Sequence, residues 1–239
     1  MIRIPTPALF AGTLMLGASL PAAALDTWKA DAELGVLNTS GNTKTRSITA
    51  KAHAVNDRDH WRHTFNAEAL NSSESGVTTA ERYFASDKSD YKFGGANYAF
   101  VLLTYENDRF SGYDYRSAET LGYGRTVIKR PTLSLDLDAG VGTRQSQVST
   151  TGENQYEGLL HAGGNLAWQI SPTATFTQTL VSDMGKESTV SKSVTALKNQ
   201  VVGNLAAKIS FTAQYTTKVP AGITPLDTET AVTLVYSFP

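Results

Sequence analysis

From residue 28 onward, apolar and polar side chains alternate one for one along most of the chain. The clearest run is Leu133 to Arg144. Leu133, Leu135, Leu137, Ala139 and Val141 fall on one side, and Ser134, Asp136, Asp138, Gly140 and Arg144 on the other. Successive strand side chains point to opposite faces, so this is a strand with one apolar and one polar wall. Trp28, Ala30, Ala32, Leu34 and Val36 oppose Lys29, Asp31 and Glu33 in the same way. Trp61, His63, Phe65 and Ala67 oppose Arg62, Thr64, Asn66 and Glu68. Leu160, Ala162, Leu166 and Trp168 oppose His161, Asn165 and Gln169. Ile209, Phe211 and Tyr215 oppose Lys208, Ser210 and Gln214, and Val232, Leu234, Tyr236 and Phe238 oppose Glu229, Thr233 and Ser237.

The pattern predicts twelve strands, at about 28–37, 45–56, 60–72, 79–92, 97–107, 114–128, 133–145, 156–170, 173–184, 188–201, 205–218 and 227–238. In the fourth and tenth the apolar face is broken, around Arg82 to Lys92 and Ser188 to Ala196. Connections alternate in length. Asp57 to Asp59, Phe93 to Ala96, Lys129 to Thr132, Ser171-Pro172 and Val202 to Asn204 are tight. Asn38 to Lys44, Ser73 to Thr78, Asp108 to Tyr113, Ser146 to Gln155 and Val219 to Leu226 are longer and polar, with Met184 to Glu187 a short exception. Short turns at one end and long loops at the other are the habit of bacterial membrane barrels. Trp28, Trp61 and Trp168, joined by Phe93, Tyr98, Phe176, Tyr236 and Phe238, map to the short-turn rim. Tyr83, Tyr105, Tyr115 and Tyr215 map to the long-loop rim. Two such girdles flank the apolar band of a barrel, because amphipathic rings settle at the lipid interface. The fold expected is therefore all-β, an antiparallel up-and-down transmembrane β-barrel of about twelve strands, spanning residues 25–239.

The preceding residues read as an export signal. Arg3 is the one charge before an apolar run, Ala8 to Leu20, which is too short for a spanning helix of about 20 residues. Ala22-Ala23-Ala24 supplies small residues for a signal peptidase. Residues 1–24 are thus expected to be a signal peptide, cleaved between Ala24 and Leu25. The remainder carries 20 basic and 22 acidic side chains once Arg3 is removed from the 21 basic side chains. That near-neutral balance gives no field to draw in nucleic-acid phosphates. Cysteine is absent, which excludes disulfides and thiolate chemistry.

Candidate chemistry is sparse. His53, His60, His63 and His161 show no metal-ligand spacing, and His60 and His63 fall on opposite faces of a strand. No G-x-S-x-G elbow is present. A hydrolase of lipid or peptide would need a rim Ser–His–acid set, for which His161 near Asp136 or Asp138 is a conceivable start. The polar wall is the better candidate surface. Asp31, Glu33, Arg62, Glu68, Asp136, Asp138, Arg144, His161, Lys208 and Glu229 are expected to line a lumen, with Lys29, Lys51 and His53 beside them. Charges of both signs must either pair or stand in water. Gly35, Gly140, Gly142, Gly163 and Gly164 are read as sites of strand bending and close packing in preference to the alternative, room for a ligand or for a lumen side chain crossing the barrel. Asp108, Arg109, Asp114 and Arg116 form a charged cluster at the outer rim.

Three stretches resemble a known family. They are Gly41-Asn42-Thr43, Asp108 to Arg116 followed by Gly122-Tyr123-Gly124, and Asp227 to Phe238. Over nearly all of the chain after the leader it resembles the YdiY-like family of salt-induced outer-membrane proteins, a bacterial family of unknown function. The resemblance implies a Gram-negative outer-membrane barrel, linked to salt or osmotic stress. It implies no catalytic residues and no cofactor. The expected function is structural, or a narrow passive pore, and not an enzyme. Outer-membrane lipid, lipopolysaccharide and the barrel-assembly machinery are the expected partners of a monomer. The alternatives are the rim hydrolase and a secreted soluble β-sandwich.

Overall fold

The computed structural model describes residues 28–38, 45–220 and 222–238. The expected leader, its cleavage point at Ala24 and Leu25, and the first long loop lie outside the described residues. Twelve strands follow in order: β1 (Trp28–Asn38), β2 (Thr45–Asp57), β3 (Trp61–Glu74), β4 (Val77–Phe93), β5 (Asn97–Asp108), β6 (Tyr113–Arg130), β7 (Leu133–Val148), β8 (Asn154–Gln169), β9 (Ala174–Gly185), β10 (Thr189–Val202), β11 (Leu205–Thr216) and β12 (Leu226–Phe238). Each pairs antiparallel with its sequence neighbours, and β1 meets β12 to close the barrel. Closure removes both sheet edges and rules out a sandwich.

The walls divide as the alternation requires. Leu121, Val141 and Leu160 sit side by side on β6, β7 and β8 and are all exposed on the outer face. Inward residues between them are buried, down to 0% exposure at Val235 and 1% at Asp90. A soluble protein would place its aliphatic side chains the other way round. An exposed aliphatic belt around a buried polar interior is built for hydrocarbon outside.

Both rims carry rings. At the short-turn end Trp61 packs against Tyr91 at 5.1 Å between centroids, and Phe93 against Tyr123 at 6.3 Å. At the other end Tyr105 stacks on Tyr115 at 6.4 Å. Tyr98 is a correction to the expected girdle. Its register partners on β4 and β6, Lys92 and Gly124, face the lumen, and it is buried there.

The fourth and tenth strands form despite their broken apolar faces, and the structure shows what breaks them. Asp87 stands on the outer face between Phe65 and Leu103. On β9 and β10 the outward polar groups satisfy one another: Ser182 with Ser191 at 2.9 Å, and Gln178 donating to Ser193 at 3.0 Å. Paired hydroxyls and amides are tolerable in lipid where lone ones are not.

The loops depart from expectation at one hairpin. Ser73 to Thr78 is not a long loop. β3 and β4 run on to a two-residue turn, Ser75-Gly76, with φ of 49° and 85°. Two central residues with positive φ match the right-handed twist of the flanking strands, and Gly76 adopts that region without Cβ strain.

Val141 lies in the middle of the aliphatic belt. Val141→Arg is expected to lower stability by about 2–4 kcal/mol in a bilayer. Urea titration of the folded barrel in vesicles, read against Val141→Ala, measures it.

Candidate functional site in the barrel lumen

The inward residues of all twelve strands converge on a lumen narrow enough for side chains to cross. Arg62 on β3 donates through Nε to Asp90 Oδ2 at 2.6 Å and through Nη1 to Asp136 Oδ2 at 2.9 Å. Asp136 belongs to β7, four strands away, so this guanidinium spans the barrel. Lys88 of β4 pairs with Asp138 of β7. Asp138 Oδ1 also lies 3.2 Å from His161 Nε2, while His161 Nδ1 lies 2.6 Å from Asp183 Oδ1. Tyr98 packs under this group, with Arg62 5.1 Å and Lys88 5.4 Å from its ring centre.

A second group occupies the loop-side half. Glu229 on β12 accepts from Arg82 at 2.7 Å and from Lys51 at 3.4 Å. Glu68 lies 3.5 Å from Arg82 and 3.8 Å from Lys51. Lys192 of β10 reaches to 4.8 Å from the ring centre of Phe84 on β4, the opposite wall of the barrel. Lys208 donates to Glu33 at 2.6 Å and Lys198 to Asp31 at 3.0 Å, tying β11 and β10 to β1. Arg144 donates to Glu157 and to the Ser188 carbonyl, both at 2.5 Å.

All ten residues singled out from the sequence therefore sit on inward positions; nine have a partner of opposite charge, and His161 has a carboxylate at each ring nitrogen. His53 pairs with Asn66 at 2.7 Å. Sequence reasoning missed Lys88, Asp90, Arg82, Glu106 and Lys192. The signal was present for the first three. They alternate with Tyr83, Asp87 and Tyr91, but the polar outward Asp87 hid the period. Glu106 pairs with Arg116, so the expected rim cluster divides: Arg116 turns inward, while Arg109 turns to Glu81 at 3.1 Å.

The glycines divide between the two readings, and Gly124 joins them. A Cβ on Gly163 would stand 2.2 Å from Asp138 Oδ1, and one on Gly124 would stand 2.2 Å from the Tyr98 ring. These two make room for lumen side chains. Gly140 and Gly142 fit the expected close packing, since a Cβ there would meet backbone oxygens of β6 at 2.5 and 2.3 Å.

His161 and His63 have their own partners in the barrel wall. His161 has a carboxylate on each ring nitrogen. His63 Nδ1 lies 2.9 Å from Ser89 Oγ on the outer wall and stacks on Trp61, with no carboxylate partner among the described residues. No group of three potential metal ligands occurs among the described residues.

Removing one member of the Arg62 set leaves buried charge unpaired. Arg62→Met is expected to cost about 3–5 kcal/mol. The double variant Arg62→Met with Asp90→Asn should recover part of that loss, since it removes one of the stranded carboxylates. Paired urea titrations measure both. Independently, Gly124→Ala is expected to displace the Tyr98 ring and cost about 1–3 kcal/mol, read as a changed near-ultraviolet circular dichroism signal with a lowered unfolding midpoint.

The barrel is similar to the NanC porin, with a TM-score of 0.52 and 10% sequence identity, covering 88% of this chain and 100% of that one. It is similar to the translocator domain of the autotransporter NalP from Neisseria meningitidis, with a TM-score of 0.50 and 13% identity over 91% of each chain. A third similar structure is the COG4313 outer-membrane channel from Pseudomonas putida F1, at 0.50 and 9%, covering 88% of this chain and 94% of that chain. At these identities the likeness is one of fold. In sequence, the chain is 29% identical over 218 residues to the uncharacterized protein YdiY of Escherichia coli strain K12, covering 91% of this chain and 86% of that protein. The family described as "Protein of unknown function, DUF481" matches residues 32–238, and the chain belongs to that family.

Proposed function

We propose that this protein is exported with its first 24 residues as a cleaved leader and works in the outer membrane of a Gram-negative bacterium as a narrow passive pore for small hydrophilic solutes. The observation that carries the reading is the lumen itself. It is polar along its length, yet Arg62–Asp136, Arg82–Glu229 and the Lys192–Phe84 contact reach across it. A purely structural barrel has no use for so many inward charges, and an apolar core of equal volume is often at least as stable. A wide pore would leave them on the walls. Crossing pairs in a hydrated lumen leave room for ions and small solutes between side chains, with mixed signs giving weak selectivity. Outer-membrane lipid and lipopolysaccharide surround the barrel in this reading, the assembly machinery inserts it, and a monomer suffices because its lumen is complete in one chain.

The test is single-channel recording from the purified, heat-modifiable barrel in planar bilayers. Small discrete steps are expected in potassium chloride. Arg82→Gln combined with Glu229→Gln removes one crossing pair without changing net charge, and should raise the step size severalfold. A folded barrel that passes no current in either form sinks the pore reading and leaves a structural one.

A further inference from the structure

The loop-side mouth of the lumen holds a cavity of about 170 Å³ whose walls come from β3, β4, β5, β11 and β12. Its floor is the Arg82–Glu229 pair. Four carboxylates line it against one guanidinium: Glu81, Asp108, Asp227 and Glu229 against Arg82. Two of the four are already matched, Glu229 by Arg82 and Lys51, and Glu81 by Arg109. Asp108 and Asp227 have no cationic side chain within 4 Å among the described residues. Among the described residues the Asp108 carboxylate accepts from the Phe110 backbone N–H alone, at 2.9 Å.

The wall between the two acids carries a second and independent observation. Gln214 and Thr212 on β11 line the same cavity at 7% and 4% exposure, and neither side chain has a hydrogen-bond partner among the described residues. Their polar atoms are not among the buried ones left without a partner, so although the two residues are buried, these atoms stay accessible from the cavity and are presented to whatever enters it. Gln214 offers both a donor and an acceptor, and Thr212 either role. Phe110 and Leu70 supply the apolar part of the wall.

We propose that this cavity is a binding site for a small organic cation, a short aliphatic amine or diamine. Its ammonium groups are held by Asp108 and Asp227, its N–H groups by Gln214 and Thr212, and its methylenes by Leu70 and Phe110. A metal ion fits less well, because these acids do not form a ligating cluster of three. An anion would meet two carboxylates with no cation of their own. Two carboxylates from β5 and β12 suit a ligand with charge at both ends, so 1,4-diaminobutane should bind more tightly than 1-aminobutane. This goes beyond the pore reading and does not need it: binding is measured on the folded barrel whether or not it conducts.

The experiment is calorimetric titration of the detergent-purified wild-type barrel with 1,4-diaminobutane at neutral pH and low salt, with 1-aminobutane and butanedioate as comparisons. Saturable binding of the diamine is expected, weaker binding of the monoamine, and none of the dicarboxylate. Asp227→Asn and Asp108→Asn should each weaken the diamine by about tenfold. Gln214→Leu should weaken it while leaving its salt dependence unchanged. Diamine-induced rise in the unfolding temperature of wild type alone gives the same answer without relying on any variant folding. No saturable heat and no thermal shift would overturn the site, as would equal binding by butanedioate or full affinity in the Asp108→Asn, Asp227→Asn double variant.

Discussion

Hydrocarbon offers a backbone N–H or C=O no partner, and each one left open there costs several kcal/mol, so a spanning sheet must close on itself. In this chain the closing contact is the β1–β12 pairing, Ala30 to Leu34 against Phe238 to Leu234. Closure imposes the rest. Once the sheet is a tube, every strand has one face in lipid and one in the lumen, and alternation stops being a preference. It also fixes the lumen's problem. Twelve strands enclose a space small enough that inward Arg and Lys side chains meet acids on other walls before they meet bulk water.

The pairing that follows is asymmetric in a way that packing explains. β6, β7 and β8 present glycine at Gly122, Gly124, Gly140, Gly142 and Gly163 on their inner faces. That wall is thin, and the space it yields is filled from β5 by Tyr98 and Phe100 and from within by Asp138 and His161. Aromatic faces then carry the ammonium of Lys88, 4.6 Å from the Phe100 ring centre, in addition to its carboxylate. Cation, ring and acid together offset a desolvation cost that an isolated ion pair does not. The short-turn half of the lumen is thus narrowed by paired charges and rings, not lined by isolated charges.

Much of this was legible from residue order. A segment such as Leu133 to Arg144 has no other low-energy reading, because its two faces differ in kind at every step. Strand ends were less legible. β3 and β4 run past Ser73 and Thr78 because a hairpin needs only the two residues Ser75-Gly76, and polar strand residues beyond the lipid look like loop. Tyr98 was placed in the wrong girdle because an aromatic near a strand end fits lipid and lumen equally well, and parity decides only once the register with Gly124 is known. The partners were not legible at all. That Asp136 answers Arg62, 74 residues away, follows from barrel circumference and tilt, which periodicity does not encode. Gly163 shows the same limit: its room is needed by Asp138 on the next strand, and no local rule names that neighbour.

A lumen in which most charges are matched within the protein has little left with which to recognise anything. Lys88, Asp138, His161 and Asp183 are committed to one another, as are Arg144 and Glu157. Recognition falls to polar groups left open, and apart from Asp90 Oδ1, which is buried beside Arg62, the cavity at the mouth is where several of them meet. At the loop-side mouth Asp108, Asp227, Thr212 and Gln214 face one cavity above the Arg82–Glu229 floor. A solute approaching from that side meets the unmatched groups before it meets the matched ones. On the pore reading, selection by charge would precede selection by size, and the two would be set by different residues. In the proposed pore the crossing pairs would govern how large a solute passes, and the open acids would govern which solutes linger at the entrance.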